Sequence, residues 1–302
     1  MIAFTVLGGY LGAGKTTLLN HILSHCDGRR LGVLVNDFGA INIDASLVAN
    51  RNGSRINLTN GCVCCTLSDG FSEAIETLLA DPNPPEHILV EASGVADVRQ
   101  LAQYGRAPGM SLDGIVVVVD ARTLPAKVND KYVGTTIRRQ LAAGDLILLN
   151  KTDLIGDDAC RDRLAWLQRE YPLSRVLPCR NAELPVALLL GVGSTREPAA
   201  MSHGEHEHYA TWSFTSDAAV TRTRLERFSQ QLDPSVLRAK GTSAAATGPA
   251  LLLQAVGTRR EVSTIEHAPA GTYLVAIGLQ DQLDTQVLDR LAADCFSPAE
   301  SG

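Results

Sequence analysis

The chain has 302 residues, more than one hydrophobic core usually holds, so we expect one large and one smaller domain. It carries 27 Lys and Arg against 33 Asp and Glu, a net charge of −6, and no basic block. Nucleic acid is therefore not expected as a partner. No apolar run reaches membrane-spanning length, and the N-terminus lacks the features of a signal peptide, so a cytoplasmic location without membrane contact is expected.

The seven cysteines favour thiols over a disulfide framework. Their number is odd and three of them fall within four residues, which is typical of metal or redox chemistry in a reducing compartment. The isolated cysteines are expected to be small hydrophobic residues: Cys26, Cys160, Cys179 and Cys295.

The first element is an apolar run at residues 2–7, which predicts a strand, and a GxxxxGK[ST] motif follows it directly. Glycines in this motif let backbone N–H groups surround phosphates, while Lys15 supplies a charge and Thr16 a hydroxyl for Mg²⁺. Residues 17–23 predict the helix that must follow. The motif predicts these nucleotide-binding residues: Gly9, Gly12, Ala13, Gly14, Lys15, Thr16 and Thr17.

Continuous apolar runs later in the chain predict further strands of a parallel sheet that is covered on both faces. These runs are 31–35, 87–90, 114–119, 145–149 and 175–178. Residues 72–79 and 158–171 have helical spacing of apolar residues. Residues 1–190 are therefore predicted to form a doubly wound α/β domain with a mostly parallel sheet.

The residue composition changes after residue 190. Residues 191–209 are small and polar, which predicts a flexible linker. Beyond it, the predicted strands and helices indicate a smaller α+β domain over residues 210–302. The predicted strands are 210–214, 250–256, 261–265 and 272–277, and the predicted helices are 218–232 and 282–293.

Asn150-Lys-Thr-Asp153 follows a predicted strand and resembles a guanine-specificity loop. A carboxylate at Asp153 can accept both N1–H and the exocyclic amine of guanine, and adenine offers no such pair of donors. Asn150 and Lys151 would hold the base edge and brace the loop. Following a phosphate loop, this pattern predicts GTP as the nucleotide; a polar turn at a strand end is the alternative.

Glu91-Ala-Ser-Gly94 follows the predicted strand 87–90, where a carboxylate can face the γ-phosphate and Mg²⁺. Glu91 is the candidate to orient metal or water, and Gly94 the candidate for a backbone N–H that senses the γ-phosphate. Asp37 is an alternative candidate for binding or orienting the same metal. Asp120 also ends a strand, where a helix cap is an equal alternative.

Cys62, Cys64 and Cys65 lie between Asp37 and Glu91. An extended segment around residue 63 would point two sulfurs to one side, and a turn at Cys65 would bring in the third. Three thiolates suit a soft or borderline cation, and the missing fourth ligand favours a metal that is carried and released. Buried or redox-active cysteines are the alternative.

Histidines form a second, weaker candidate in the linker. His203, His206 and His208, with two glutamates between them, could bind a divalent metal, but an ordinary solvated linker is an equal alternative. His267 is expected to be a surface histidine.

The motifs GGYLGAGKTT, NDFG, NGCVCC, EASG and NKTD, in this order, resemble those of the CobW-type metal-chaperone GTPases, which are related to the urease and hydrogenase nickel-insertion GTPases. Residues 236–241, 251–256 and 274–278 are similar to that family's C-terminal domain. The resemblance implies a slow GTPase that uses Mg²⁺ and binds a transition metal, most often zinc, at CxCC.

Carried over by motif, the resemblance assigns the phosphate loop at residues 12–17, the γ-phosphate switch at Glu91 and Gly94, the guanine loop at 150–153 and the metal motif at Cys62, Cys64 and Cys65. The chain departs from the family pattern in two places. It has Ala40 where the family commonly has an acid, and Val98 where the family has proline. Because Ala40 has no carboxylate, an accessory metal site built on acidic side chains at positions 37 and 40 is in doubt.

The resulting prediction is a GTPase, with Lys15, Glu91 and Asp37 as catalytic candidates, whose nucleotide state controls how tightly the thiolates hold Zn²⁺ for a client metalloprotein. Cobalt or iron insertion, for cobalamin synthesis or nitrile hydratase, is the first alternative, since thiolates accept several first-row metals. A metal buffer or sensor is the second, and a small-molecule kinase the weakest. Whether the chain is a monomer or a homodimer is left open.

Overall fold

The computed structural model describes residues 1–26, 28–35, 48–52, 55–58, 63–66, 71–190, 209–265 and 271–297; between residues 48 and 66 it describes the backbone alone. The chain divides into two compact units, Met1–Val186 and Ala187–Gly302. The linker predicted at 191–209 lies outside the described residues except for its last residue, as do His203, His206, His208 and His267.

The first unit is built on a large sheet. In the described part of the chain its strands are β1 (Ile2–Gly8), β2 (Leu31–Val35), β3 (Val48–Asn52), β4 (Arg55–Leu58), β5 (Val63–Thr66), β6 (His87–Glu91), β7 (Met110–Asp120), β8 (Leu146–Asn150) and β9 (Arg175–Pro178). They lie in the order β3-β4-β5-β2-β6-β1-β7-β8-β9. All neighbours from β5 to β9 are parallel. The mostly parallel sheet predicted from the apolar runs is confirmed.

Helices cover this sheet. They are α1 (Lys15–Ser24), α2 (Phe71–Leu79), α3 (Val98–Tyr104), α4 (Leu124–Val128), α5 (Gly134–Ala143) and α6 (Asp157–Glu170). Helix α7 (Val186–Leu190) begins at the last residue of the first unit and continues into the second. Residues of β1 that point to opposite faces, such as Phe4 and Thr5, are both fully buried, as a doubly covered sheet requires. Helices α3, α4 and α5 were not predicted, because segments of five to ten residues are too short to show a clear helical period of apolar residues.

The other difference is at the β3 edge of the sheet. Strands β3 and β4 pair antiparallel with each other, and β4 pairs antiparallel with β5. The turn expected at Cys65 was wrong, since β5 runs through Cys64 and Cys65 to Thr66 and pairs parallel with β2. Strands β3 and β4 are short and contain several polar residues, so their sequences show no clear alternation of apolar and polar residues.

The second unit contains an antiparallel sheet in the order β10-β14-β11-β12-β13. Its strands are β10 (Tyr209–Ser216), β11 (Val236–Ser243), β12 (Ala250–Val256), β13 (Arg259–Ile265) and β14 (Thr272–Leu279), and its helices are α8 (Arg222–Gln231) and α9 (Thr285–Phe296). Apolar side chains of both helices, such as Phe228 and Phe296, pack with Trp212 of the sheet. The predicted α+β class is confirmed. Among the described residues, none of the helices is both long and apolar enough to span a membrane.

Candidate functional site

The phosphate loop joins β1 to α1 and depends on glycine for its shape. Gly9, Gly12 and Gly14 have φ angles of +134°, +76° and +109°, which L side chains rarely adopt. A Cβ atom at Gly9 would lie 2.3 Å from the Val118 carbonyl oxygen, and one at Gly14 would lie 2.4 Å from Asn150 Nδ2. The glycine spacing of the motif therefore follows from close backbone approach as well as from backbone conformation.

Side chains from later in the chain hold the outside of this loop. They donate hydrogen bonds to three successive carbonyl oxygens: Lys127 Nζ to Leu11 at 3.1 Å, Lys151 Nζ to Gly12 at 2.6 Å, and Asn150 Nδ2 to Ala13 at 2.9 Å. In a peptide unit the C=O and N–H groups point in opposite directions. The outward carbonyls of Leu11 and Ala13 turn the N–H groups of Gly12 and Gly14 toward the interior of the loop, where an anion would bind, whereas the Ala13 N–H donates to the Tyr10 carbonyl at 3.1 Å.

At the start of α1, Lys15 is buried, Thr16 is half-buried and Thr17 is exposed. The Thr16 hydroxyl donates a hydrogen bond of 2.8 Å to Glu91 Oε1 at the end of β6, and the Glu91 residue is only 1% exposed. Adjacent oxygens around an octahedral Mg²⁺, with bonds of about 2.0–2.1 Å, are about 2.9 Å apart. The two oxygens therefore fit the Mg²⁺ ligands that the sequence predicts.

Gly94 lies against the phosphate loop. A Cβ at Gly94 would meet the Leu11 backbone nitrogen at 2.9 Å and the Leu11 side chain at 2.8 Å. The buried amide of Gln140, on α5, donates to the carbonyls of Gly94 and Ala96 at 3.2 and 3.0 Å. The segment after β6 is thus fixed on one side by the phosphate loop and on the other by α5.

Asn150 is a buried connector at the end of β8. Besides donating to Ala13, its Oδ1 accepts a hydrogen bond of 2.9 Å from Ala182 N–H and a longer one, 3.6 Å, from the Cys179 thiol. Burial raises the pKa of Cys179 to about 12, so the thiol keeps its proton as a donor. Thr152 also bonds the Cys179 carbonyl, through both its N–H and its hydroxyl.

Lys151 adopts φ = +62° and its ammonium forms a 2.9 Å ion pair with Asp120 Oδ2. Burial raises the pKa of Asp120, but the Lys151 ammonium and the N–H groups of Thr123 and Arg122 lower it by more, so the net shift is downward. Asp120 therefore anchors Lys151 against the phosphate loop and caps the turn after β7. Asp153 is exposed in the 3₁₀ turn Thr152–Leu154 that follows.

Residues 179–182, after β9, are a part of this edge that sequence reasoning missed as a unit. Lys151, Asn181 and Ala182, with φ of +62°, +50° and +57°, are the described non-glycine residues with positive φ. Such strained conformations cluster at binding sites. The available signal was position, because β9 was predicted and the carboxyl ends of parallel strands gather at one edge.

The structure brings together the phosphate loop, Glu91, Gly94, Asn150 and Lys151, while Asp37 and Cys62 lie outside the described residues. The backbones of Cys64 and Cys65 lie in β5, and their side chains are not described. Cys65 is level with Leu34 of β2, one residue before the level of Glu91. Two strand spacings of about 4.8 Å put these backbones about 10 Å apart.

Comparison with known proteins decides the family. Residues 3–176 match the CobW/HypB/UreG nucleotide-binding domain, and residues 209–296 match the cobalamin synthesis protein cobW C-terminal domain. The chain belongs to the CobW/HypB/UreG family. The family prediction and its nucleotide-binding domain, with the phosphate loop on the first strand, are therefore confirmed.

Individual relatives match over 58% to 97% of the chain. A zinc chaperone CobW from Sinorhizobium sp is 33% identical over 97% of both chains. Zinc chaperone YjiA from Escherichia coli is 34% identical over 58% of this chain and 57% of its own. The crystal structure of Zn(II)-bound YjiA GTPase from E. coli has a TM-score of 0.51 and 26% identity, covering 97% of this chain and 98% of that one.

Proposed function

We propose that this protein is a metallochaperone that binds and slowly hydrolyses GTP, carries a transition metal at Cys62, Cys64 and Cys65, and passes it to a client protein. Zinc is the first candidate metal, because two relatives that match this chain over 97% and 80% of their own length are named zinc chaperones. Three thiolates bind Zn²⁺ well and leave one position for a donor from the recipient.

One observation supports a link between nucleotide and metal: the backbones of Cys65 and Glu91 lie in the same sheet, separated by β2 alone. Val35, the last residue of β2, is level with Glu91, and Asp37 comes two residues after Val35 in the sequence. A γ-phosphate that repositions this segment would change the metal site. Coupling energies of about 1–3 kcal/mol would change metal affinity roughly 5- to 150-fold.

The guanine base is assigned to the edge formed by Asn150, Lys151 and Asp153. Asn150 and Lys151 brace the phosphate loop, and the exposed Asp153 is left to accept the two guanine donors. Asp153→Asn replaces one acceptor oxygen with a donor, so selectivity for GTP over xanthosine and adenosine triphosphates should fall sharply while the phosphate loop still binds.

The test of metal coupling is a competition titration of Zn²⁺ against a chromophoric chelator, in the presence of a non-hydrolysable GTP analogue and of GDP. We expect affinities that differ at least fivefold between the two states. Cys64→Ala should remove tight binding, whereas Cys160→Ala, a partly buried thiol whose pKa is raised by burial, is the matched control and should retain it.

Two results would contradict the proposal. Equal Zn²⁺ affinities in the two nucleotide states would remove the coupling, and stoichiometric metal retained by Cys64→Ala would place the metal elsewhere, with His203, His206 and His208 as the first residues to examine. A steady-state phosphate-release assay on the wild-type chain tests hydrolysis separately.

A further inference from the structure

The helical hairpin formed by α4 and α5 contacts both phosphate-facing elements of the site. On α4, the Lys127 ammonium donates to the Leu11 carbonyl of the phosphate loop at 3.1 Å, and it lies 4.9 Å from the centre of the Tyr10 ring. On α5, the Gln140 amide donates to the Gly94 and Ala96 carbonyls. Both helices follow β7, so one local unit reaches both loops.

The packing around these contacts is tight. Gln140 is 3% exposed, and its amide has its two donors directed at two carbonyls of one segment. The space between α4 and the phosphate loop is a cavity of about 10 Å³ lined by Tyr10, Thr123 and Lys127 among others, about the volume that one water molecule needs. A displacement of the hairpin would therefore move both loops.

The two loops also touch each other directly. Leu11, whose carbonyl accepts from Lys127, is the residue that a Cβ at Gly94 would strike. Hydrogen bonds from one helical hairpin to the two sides of this contact hold Gly94 close to the phosphate loop. Gly94 is the residue whose N–H the sequence assigns to a γ-phosphate, which GDP lacks, so its place against the loop bears on GTP alone.

We propose that Lys127 and Gln140 are positioning residues that act as a bracket: Lys127 sets the phosphate loop for any guanine nucleotide, and Gln140 sets the Gly94 segment for the γ-phosphate alone. The proposal rests on nucleotide binding at the phosphate loop. It predicts different phenotypes at the two positions, and a general loss of structure would not produce that split.

The experiment measures dissociation rates and affinities of fluorescent GDP and of a fluorescent non-hydrolysable GTP analogue. Lys127→Met should release both nucleotides about three- to tenfold faster, and Lys127→Arg should restore release to within twofold. Lys131→Met is the matched control, because the ammonium of this neighbouring lysine also lies over a ring, 4.6 Å from the centre of Tyr132, and Tyr132 is 79% exposed. It should behave as wild type.

Gln140→Leu should weaken the GTP analogue about tenfold and change GDP binding less than twofold. The double variant should show a coupling between positions 127 and 140 for the GTP analogue and additive effects for GDP. Because Gln140→Leu leaves two carbonyls without their donor, its thermal unfolding is measured in parallel. Should the leucine variant fail to fold, Gln140→Met, which keeps the side-chain length and lacks the donating amide, takes its place with the same expected result.

The bracket is contradicted if Lys127→Met is indistinguishable from Lys131→Met, or if Gln140→Leu weakens GDP and the GTP analogue equally. A wild-type chain that binds neither nucleotide would instead contradict the GTPase assignment on which the bracket depends. The two failures are therefore distinguishable in the same set of titrations.

Discussion

The two halves of the parallel sheet use buried and partly buried polar side chains in different ways. At the carboxyl ends of the strands, Asn150 and Lys151 donate to carbonyls of the phosphate loop. In the amino-terminal half, Thr5 Oγ1 lies 2.8 Å from His87 Nε2, and an Asp113 carboxyl oxygen lies 3.8 Å from the same nitrogen. The first set joins strands to a ligand-binding loop, and the second joins strands to one another.

The comparison indicates that a buried polar residue in this sheet serves binding or stability according to what its partner belongs to. A partner in a loop is displaced when the loop changes, so substitution should act on nucleotide affinity. A partner in a neighbouring strand is part of the core, so substitution should act on the free energy of unfolding.

The largest expected effect separates two glycines at opposite ends of the sheet. Gly14→Ala adds strain at φ = +109° and a Cβ 2.4 Å from Asn150 Nδ2, so nucleotide affinity should fall at least a hundredfold in a fluorescence titration. Gly109→Ala has similar strain, at φ = +83°, but meets no atom within 4 Å. It should cost about 1–2 kcal/mol of stability and leave affinity unchanged.

If both alanine variants lost nucleotide affinity equally, backbone strain alone would account for the glycine requirement, and the close approach of Asn150 would have no part in it.

The second prediction concerns the amino-terminal half. Asp113→Ala removes a fully buried carboxylate beside His87 and should lower the free energy of unfolding of the first unit by about 3–5 kcal/mol. Urea unfolding in a Trp212→Phe background isolates this unit, because the remaining tryptophan is Trp166. Nucleotide affinity of the folded fraction should change less than twofold.

Asp158→Ala is the control, since the Asp158 side chain is 94% exposed and its ion pair with Arg161 should contribute less than about 1 kcal/mol. A large loss of nucleotide affinity in folded Asp113→Ala would erase the difference between the two halves.

The smallest effect is a pH dependence at the carboxyl end. The pKa of Asp120 is below its ordinary value of 3.8 in the folded chain, so its ionised form stabilises the fold. This contribution is fully present above about pH 4 and is lost as the pH falls through the lower, folded pKa. Asp120→Asn should reduce the loss of folding stability that occurs as the pH falls below about 4. It should also release nucleotide faster at pH 7, because Lys151 loses its ion pair.

Asp130 is a matched control. The N–H groups of Tyr132 and Val133 lower the pKa of this exposed carboxyl, and among the described residues these two groups are the hydrogen-bond partners of its side chain. Asp130→Asn should alter the loss of stability at low pH without a change in nucleotide release. An unchanged loss of stability at low pH in Asp120→Asn would show that its carboxylate is not held by Lys151 in solution.

Much of the fold could be predicted because its local patterns are strong. Continuous apolar runs marked β1, β2, β6, β7, β8 and β9, since buried parallel strands need apolar side chains on both faces. The short polar strands β3 and β4 and the helices α4 and α5 carry weaker patterns. Their formation depends on pairing or packing with segments distant in sequence.

The sequence by itself determined the nucleotide-binding character, because the glycine, lysine and hydroxyl positions of residues 9–16 are imposed by phosphate chemistry and lie within one short segment. Only the tertiary structure decided what holds that segment. Lys127 and Gln140 are 116 and 46 residues away in sequence from their partners Leu11 and Gly94. Residues 179 and 182 contact Asn150 across 29 and 32 residues. Hydrogen bonds across such separations follow from strand order, which no local pattern encodes.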